Sequence, residues 1–341
     1  MNGGPILVWG AGAIGGTLGA HLARAGEDVT FVDRDRAHIA AMQKHGLAIT
    51  GPVATFTVPA KALLPEEVEG RFARTFLCVK AQDTADAARA LAPHLSDEGY
   101  VVSAQNGLNE LTVAGIVGEA RTMGCFVNFG ADYIEPGVVH FGGRGAVVVG
   151  EIDGALTPRV EALHRLLRAF EDRAVLTRNI WGYLWGKLSY GAMLFATALT
   201  DASIADCLAS SGHRRVFIAL AREPLAVAAA RSVVPEAFDG FDPAAFRPGG
   251  SEAAAIASLD KLVAFNRRSA KTHSGIWRDL AVRKRPTEAE AQLGPIVELG
   301  RQHGVATPLT RRVLDLIHDI EEGRQSQDWA LLDALGEVVP V

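Results

Sequence analysis

Residues 6–33 read ILVWGAGAIGGTLGAHLARAGEDVTFVD, and this stretch decides the fold class. Residues 6–9 are a short apolar run closed by Gly10, the pattern of a buried strand. Beyond it Ile14, Leu18 and Leu22 recur at helical spacing until Gly26. A second apolar run over 29–32 ends in Asp33. At the first strand–helix joint, Gly10, Gly12 and Gly15 fit the G-x-G-x-x-G pattern, with Ala11, Ala13 and Ile14 between and around them. The first glycine makes a tight turn, the second lets the backbone approach a pyrophosphate, and the third permits close helix–strand packing. The helix N-terminus favours the negative charge. A dinucleotide site over residues 10–15 is therefore expected. Asp33 is placed to accept hydrogen bonds from the adenosine ribose and to repel a 2′-phosphate, which argues for NAD. Arg34 and Arg36 follow at once, and an arginine there is a known way to hold that phosphate, so NADP stays open.

Further along, the same alternation continues. RTFLCVKA, GYVVSAQNG and RTMGCFVNFG read as strands, with helical or loop segments between them. GVVHFGGRGAVVVGEI reads as a late hairpin or paired strands with a glycine-rich turn, followed by a helix (PRVEALHRLLRAFED) and a short strand (AVLTR). From residue 179 the strand signals fade, and 179–200, 212–231, 251–270, 286–303 and 308–320 read as helices. The fold class expected is α/β: a Rossmann-type parallel-sheet domain over 1–178, then an all-helical domain over 179–341. The loop over 232–250 carries Phe238, Phe241 and Phe246. These rings are awkward in open solvent, so the loop is expected beside the active-site cleft or at a subunit interface.

The 341 residues are 48% hydrophobic and 21% charged, with a formal net charge of -5. Nothing in that balance suggests nucleic acid or an anionic membrane as a partner. Cys78, Cys125 and Cys207 show no CxxC spacing, and the ten histidines form no HxxxH or HExxH pattern, so neither a disulfide framework nor a metal site is indicated. MNGGPILVWG lacks the basic n-region of a signal peptide, and a cytoplasmic protein is expected.

WGYLWGKLSYGAM, residues 181–193, is aromatic, aliphatic and glycine-rich and holds one charge, Lys187. An unpaired ammonium is costly to desolvate. On these residues alone Lys187 either snorkels to water or serves a site.

Several stretches together resemble the ketopantoate reductase (2-dehydropantoate 2-reductase) family over nearly the whole length: ILVWGAGAIGG, CVKAQDT, QNGLNE, GADYIEPGVVHFGGRG, WGKLSY, HSGIWRDLAVRKRPTEAE and HGVATP. The resemblance implies the 6-phosphogluconate dehydrogenase-like two-domain plan, with the active site in the cleft between domains. It implies Lys80 as a lysine reaching the cofactor, Asn106 as a contact to nicotinamide ribose and substrate, and Gly130 near the cofactor. It further implies Lys187 as general acid/base, Glu288 as the active-site carboxylate and Ser274 as a substrate contact. A homodimer through the helical domain, a small oxo or hydroxy acid as substrate and a place in pantothenate biosynthesis follow in the same way. Reduction of a 2-oxo group needs a proton on oxygen, and a lysine can supply it where burial lowers its pKa.

The chain also departs from the family. Asparagines usually stand four and eight residues after the lysine, and here Gly191 and Phe195 occupy those positions. A site that loses a hydrogen-bonding amide loses discrimination, which suggests a different oxo or hydroxy acid. Ser189 or Tyr190 could replace the lost contacts, and one of Arg278, Arg283, Lys284 and Arg285 could clamp a carboxylate. Other readings are a hydroxyacyl-CoA or opine dehydrogenase using a His–Glu pair, with His273 as candidate, and a non-catalytic dinucleotide sensor.

Overall fold

Strand β1, Ile6–Trp9, has no residue more than 4% exposed. Ile6 and Val8 join one apolar cluster, and Leu7 and Trp9 join another. Successive strand side chains point to opposite faces, so both faces of the sheet are covered, as a parallel sheet requires. The computed structural model describes residues 4–268 and 272–339. It divides into two compact units, the first ending at Ile180 and the second starting at Trp181.

In the first unit β1 leads through α1 (Ala13–Arg24) to β2 (Val29–Val32), then through α2 (Arg36–His45) to β3 (Leu47–Thr50), β4 (Phe56–Val58) and β5 (Lys61–Leu63). Next come β6 (Phe72–Leu77), α3 (Thr84–Leu91), β7 (Leu95–Ser103), α4 (Asn109–Val117) and β8 (Thr122–Val127). The unit closes with β9 (Gly130–Glu135), β10 (Val138–Gly143), β11 (Val147–Glu151), α5 (Pro158–Leu167) and β12 (Val175–Leu176). The main sheet has the order β12-β11-β8-β7-β6-β1-β2-β5. From β5 to β8 all neighbours are parallel; β11 runs antiparallel to β8. Strand order reverses between β1 and β6, the crevice where open α/β sheets bind ligands.

The structure adds one sheet to the expected plan and corrects one expectation. A second sheet, β4-β3-β10-β9, packs on α1: a Cβ on Gly16 of α1 would lie 3.2 Å from Val139 of β10. And the GGRG stretch is not a hairpin turn. β10 pairs with β9 and β3, whereas β11 pairs with β8 and β12, so the glycines carry the chain from one sheet to the other.

The second unit comprises α6 (Ile180–Thr197, its first residue in the first unit), α7 (Ile204–Ala209), α8 (Arg214–Ala230), α9 (Glu252–Arg268) and α10 (Gly275–Arg278). A π-turn over Asp279–Arg283 follows, then α11 (Ala289–Gln302), α12 (Pro308–Glu321) and α13 (Trp329–Gly336). Residues 269 and 270, the end of the helix expected over 251–270, lie outside those described. The loop over 232–250 folds onto α6. The Glu236 N–H donates to the Gly182 carbonyl at 2.9 Å, and a Cβ on Gly186 would lie 2.6 Å from the Glu236 carbonyl oxygen. Gly182 and Gly186, one helical turn apart, thus admit a neighbouring backbone. Phe238, Phe241 and Phe246 are 6%, 2% and 0% exposed. Phe241 lies against Tyr190, Phe238 and Phe246. The rings are core of their own unit, not surface awaiting a partner.

Candidate active site

Gly10 stands immediately after β1 with φ +99°, and a Cβ there would lie 2.7 Å from the Val79 nitrogen. The loops after β1 and β6 therefore touch at the switch point, and a side chain would separate them. At Gly15 a Cβ would lie 2.0 Å from the Gly10 carbonyl oxygen, so this glycine is needed for helix–strand packing. Gly12 differs: among the described residues, none beyond its chain neighbours has an atom within 4 Å of where its Cβ would be. It caps the N-terminus of α1, half-buried beside Ala13 and Ile14, while Ala11 is buried. Protein packing explains two of the three glycines and leaves room over the second. That open cradle at a helix N-terminus fits a dinucleotide pyrophosphate.

Asp33 follows β2. Its Oδ2 accepts the Ala11 N–H at 2.9 Å and its Oδ1 accepts the Asp35 N–H at 3.0 Å. The carboxylate is thus held against the glycine loop, as an adenosine-ribose acceptor must be. Arg34 reaches Asp83 at 3.1 Å and Arg36 reaches Glu66 at 2.7 Å. Both guanidiniums are mostly exposed, so the pairs are weak, but each arginine already faces a carboxylate.

Sequence reading missed His38, which is 1% exposed. Its Nδ1 accepts the Gly137 N–H at 2.9 Å, so Nε2 carries the hydrogen and donates to the Ala11 carbonyl at 3.0 Å. The ring ties the glycine loop to the β9–β10 turn. Tyr133 of β9 packs edge-on against it and donates its hydroxyl to Asp35 at 3.1 Å. Burial, together with that carboxylate, pushes the Tyr133 hydroxyl up to about 12. The only sequence signal for His38 was a polar residue on the inner face of α2.

Lys80 is half-buried and precedes a short 3-10 turn over Ala81–Asp83. Asn106 is half-buried in the loop after β7. Gly130 opens β9, opposite Gly143.

In the helical unit Tyr183, Lys187, Tyr190, Gly191 and Leu194 are half-buried, whereas most of the rest of α6 is buried. At helical spacing they form one stripe. Gly191 shares the Lys187 face, and among the described residues no atom outside its own helical turn lies within 4 Å of where its Cβ would be. Phe195 is 1% exposed. The substrate contact expected of it is corrected, because its ring belongs to the core and offers no surface. Ser189 is equally unavailable: it is 0% exposed and donates to the Ala221 carbonyl at 2.9 Å. Ser274 is 3% exposed and caps α10, its Oγ accepting the Trp277 N–H at 3.1 Å. That bond uses a lone pair and leaves the hydroxyl hydrogen for another acceptor. Glu288 is half-buried at the start of α11 and makes no side-chain capping bond. Its neighbour Thr287 donates its N–H to Glu321 of α12 at 2.6 Å, which fixes the entry to that helix.

Arg283 and Arg285 both donate to the buried Asp279, at 3.0 and 2.9 Å. His273 meets the Thr272 hydroxyl at 2.9 Å and the Asp201 carbonyl at 3.1 Å. Neither partner is the carboxylate that a His–Glu catalytic pair requires. Among the described residues no cluster of three or more His, Cys, Asp or Glu could hold a metal, and no helix is long and apolar enough to cross a membrane.

The chain is similar over most of its length to known proteins. Residues 6–154 match the model of the ketopantoate reductase PanE/ApbA family, and residues 179–321 match its C-terminal model. A 2-dehydropantoate 2-reductase of Archaeoglobus fulgidus is 29% identical over 320 residues, covering 93% of this chain and 98% of that one. A PanE/ApbA family ketopantoate reductase from Ralstonia eutropha JMP134 has a TM-score of 0.78 at 27% identity, covering 94% of this chain and 100% of that one. D-mandelate dehydrogenase, solved with NADH and anilino(oxo)acetate, has a TM-score of 0.79 at 21% identity, covering 94% of this chain and 99% of that one; this is a likeness of fold.

Proposed function

This chain belongs to the ketopantoate reductase PanE/ApbA family, and we propose that within it the protein reduces a 2-oxo acid to the 2-hydroxy acid, preferring NADH, with Lys187 as general acid. Membership makes it an NAD(P)-dependent oxidoreductase acting on a CH–OH group with a small-molecule substrate. The observation that carries the cofactor reading is the open cradle over Gly12, beside a Gly15 closed by packing. When bound there, the dinucleotide supplies the hydride.

The chain's own residues do the rest. The N-terminus of α1 takes the pyrophosphate, and Asp33 takes the adenosine ribose. The preference for NADH rests on Asp33 being hydrogen-bonded to Ala11 and on both nearby arginines already facing carboxylates. Lys80 and Asn106, at the ends of the next two strands, reach the nicotinamide half. Gly130 borders the same cofactor. Lys187 donates a proton to the carbonyl oxygen as the carbon accepts hydride, and takes it back in the oxidative direction. Glu288 orients the nascent hydroxyl, and Ser274 contacts the substrate through its remaining hydroxyl hydrogen.

Ketopantoate is the first substrate to test. A bulkier 2-oxo acid is the second reading, favoured by the open space at Gly191 on the Lys187 face. A homodimer through the helical unit, a cytoplasmic location and, for ketopantoate itself, a role in pantothenate biosynthesis complete the proposal. The test is steady-state oxidation of NADH and NADPH with ketopantoate and with phenylglyoxylate, run beside Lys187→Ala. Turnover lost in the variant supports the assignment. Turnover retained within tenfold removes Lys187 as the proton donor.

A further inference from the structure

We infer that Thr84 is a positioning residue that locks the loop carrying Lys80 to the loop carrying Asn106 through one buried, directional chain of side-chain hydrogen bonds. The inference rests on the reading above in that these two loops serve the nicotinamide half of the cofactor. Ser103, Gln105, Thr84 and Asn109 are 0%, 5%, 1% and 6% exposed. Gln105 Nε2 donates to the Val79 carbonyl at 2.9 Å and to Thr84 Oγ1 at 2.8 Å. Thr84 Oγ1 meets Asn109 Oδ1 at 2.9 Å, and Asn109 Nδ2 donates to the Asn106 carbonyl at 2.7 Å.

The direction of every bond is forced. Carbonyl oxygens only accept, so the Val79 carbonyl fixes the Gln105 amide with its NH2 inward. The Asn106 carbonyl fixes Asn109 in the same way, which turns its Oδ1 towards Thr84. Thr84 then has one arrangement left: it accepts from Gln105 and donates its single hydrogen to Asn109. Gln105 Oε1 accepts from the Ser103 hydroxyl at 3.3 Å. Only a hydroxyl both accepts and donates at that point, so no apolar residue can hold both loops at once. The held atoms are the Val79 carbonyl, on the peptide bonded to Lys80, and the carbonyl of Asn106 itself. Val79 is also the residue whose nitrogen abuts Gly10. One buried chain therefore spans the loops after β6 and β7. An unmet group in such a network is costly, because its members are cut off from water.

The test compares Thr84→Val, which keeps the volume and removes the hydroxyl, with Thr84→Ser, which keeps the hydroxyl. Asn109→Asp is the second variant, since it still accepts from Thr84 but cannot donate to Asn106. Hydrogen exchange is followed without cofactor over residues 78–84 and 104–110. Then kcat with the oxo acid the wild type turns over, ketopantoate first, is measured together with the Kd for NADH. Thr84→Val should accelerate exchange in both segments at least tenfold. It should lower kcat at least tenfold while the NADH Kd moves less than threefold, because the glycine cradle and Asp33 are untouched. Thr84→Ser should restore both readouts, and Asn109→Asp should lose kcat like Thr84→Val. Unchanged exchange over 104–110 in Thr84→Val, or a lowered melting temperature with kcat per folded molecule unchanged, overturns the inference. A wild type that binds neither NADH nor NADPH overturns the functional reading instead, and the exchange measurement still decides whether the loops are coupled.

Discussion

Glu110 offers a pH dependence that can be worked through. It lies on α4 at 0% exposure, its Cγ 3.6 Å from where a Cβ on Gly124 of β8 would be. Burial pushes its carboxyl from the ordinary 4.5 up to about 8, and among the described residues neither carboxyl oxygen has a hydrogen-bond partner. The folded protein therefore holds a proton that the unfolded chain releases above pH 4.5. Stability linked to this group is complete below that pH and is lost as pH rises to about 8. At about 1.4 kcal/mol per pH unit, the loss reaches roughly 3 kcal/mol by pH 7 and roughly 4 kcal/mol by pH 8. Glu110→Gln keeps the shape and does not titrate. Whatever its amide costs is the same at every pH, so only the slope carries information. Urea unfolding followed by far-UV circular dichroism at pH 5, 6, 7 and 8 gives that slope, with unchanged m-values as the control. The variant should gain on wild type by about 1 kcal/mol per pH unit over this range. Parallel stability curves would refute the argument that a proton is held at Glu110.

Two further predictions concern the site. Asp33→Ser removes the carboxylate bonded to Ala11 and the charge opposed to a 2′-phosphate; the ratio of kcat/KM for NADPH over NADH should rise at least tenfold, about 1.4 kcal/mol. Gly191→Asn places an amide in open space on the Lys187 face. It should lower kcat/KM for bulky 2-oxo acids at least tenfold while raising it for ketopantoate; equal effects on both would show that this position does not face substrate.

The glycine-rich joint was legible because a tight turn, close helix–strand packing and an open helix N-terminus each demand a glycine, and three at that spacing between a strand and a helix have few other uses. The helical unit was legible from its period. The second sheet was not, since two of its strands, LAIT and FTV, have four and three residues, too short to show alternation. Nor could sequence say that β10 and β11 part company at GGRG, because period reveals a strand but not its partner. Phe195 shows the same limit within a helix. Eight residues from Lys187 is close to the same face, yet burial on that turn sends the ring into the core. His38 and Thr84 were invisible for a related reason. Each acts through partners distant in sequence, such as Gly137 for His38 and Asn109 for Thr84.

The most direct test of the account is NADH binding to wild type and to Gly12→Val, with each variant's melting temperature measured alone and with saturating cofactor. Among the described residues none beyond the chain neighbours has an atom within 4 Å of the added Cβ, so the melting temperature without cofactor should stay within about 2 °C of wild type. Wild type should be stabilised by NADH, as any ligand of the folded state does, and the variant should bind at least a hundredfold more weakly, about 2.8 kcal/mol. Equal affinity in the two proteins would contradict the placement of a dinucleotide on this cradle.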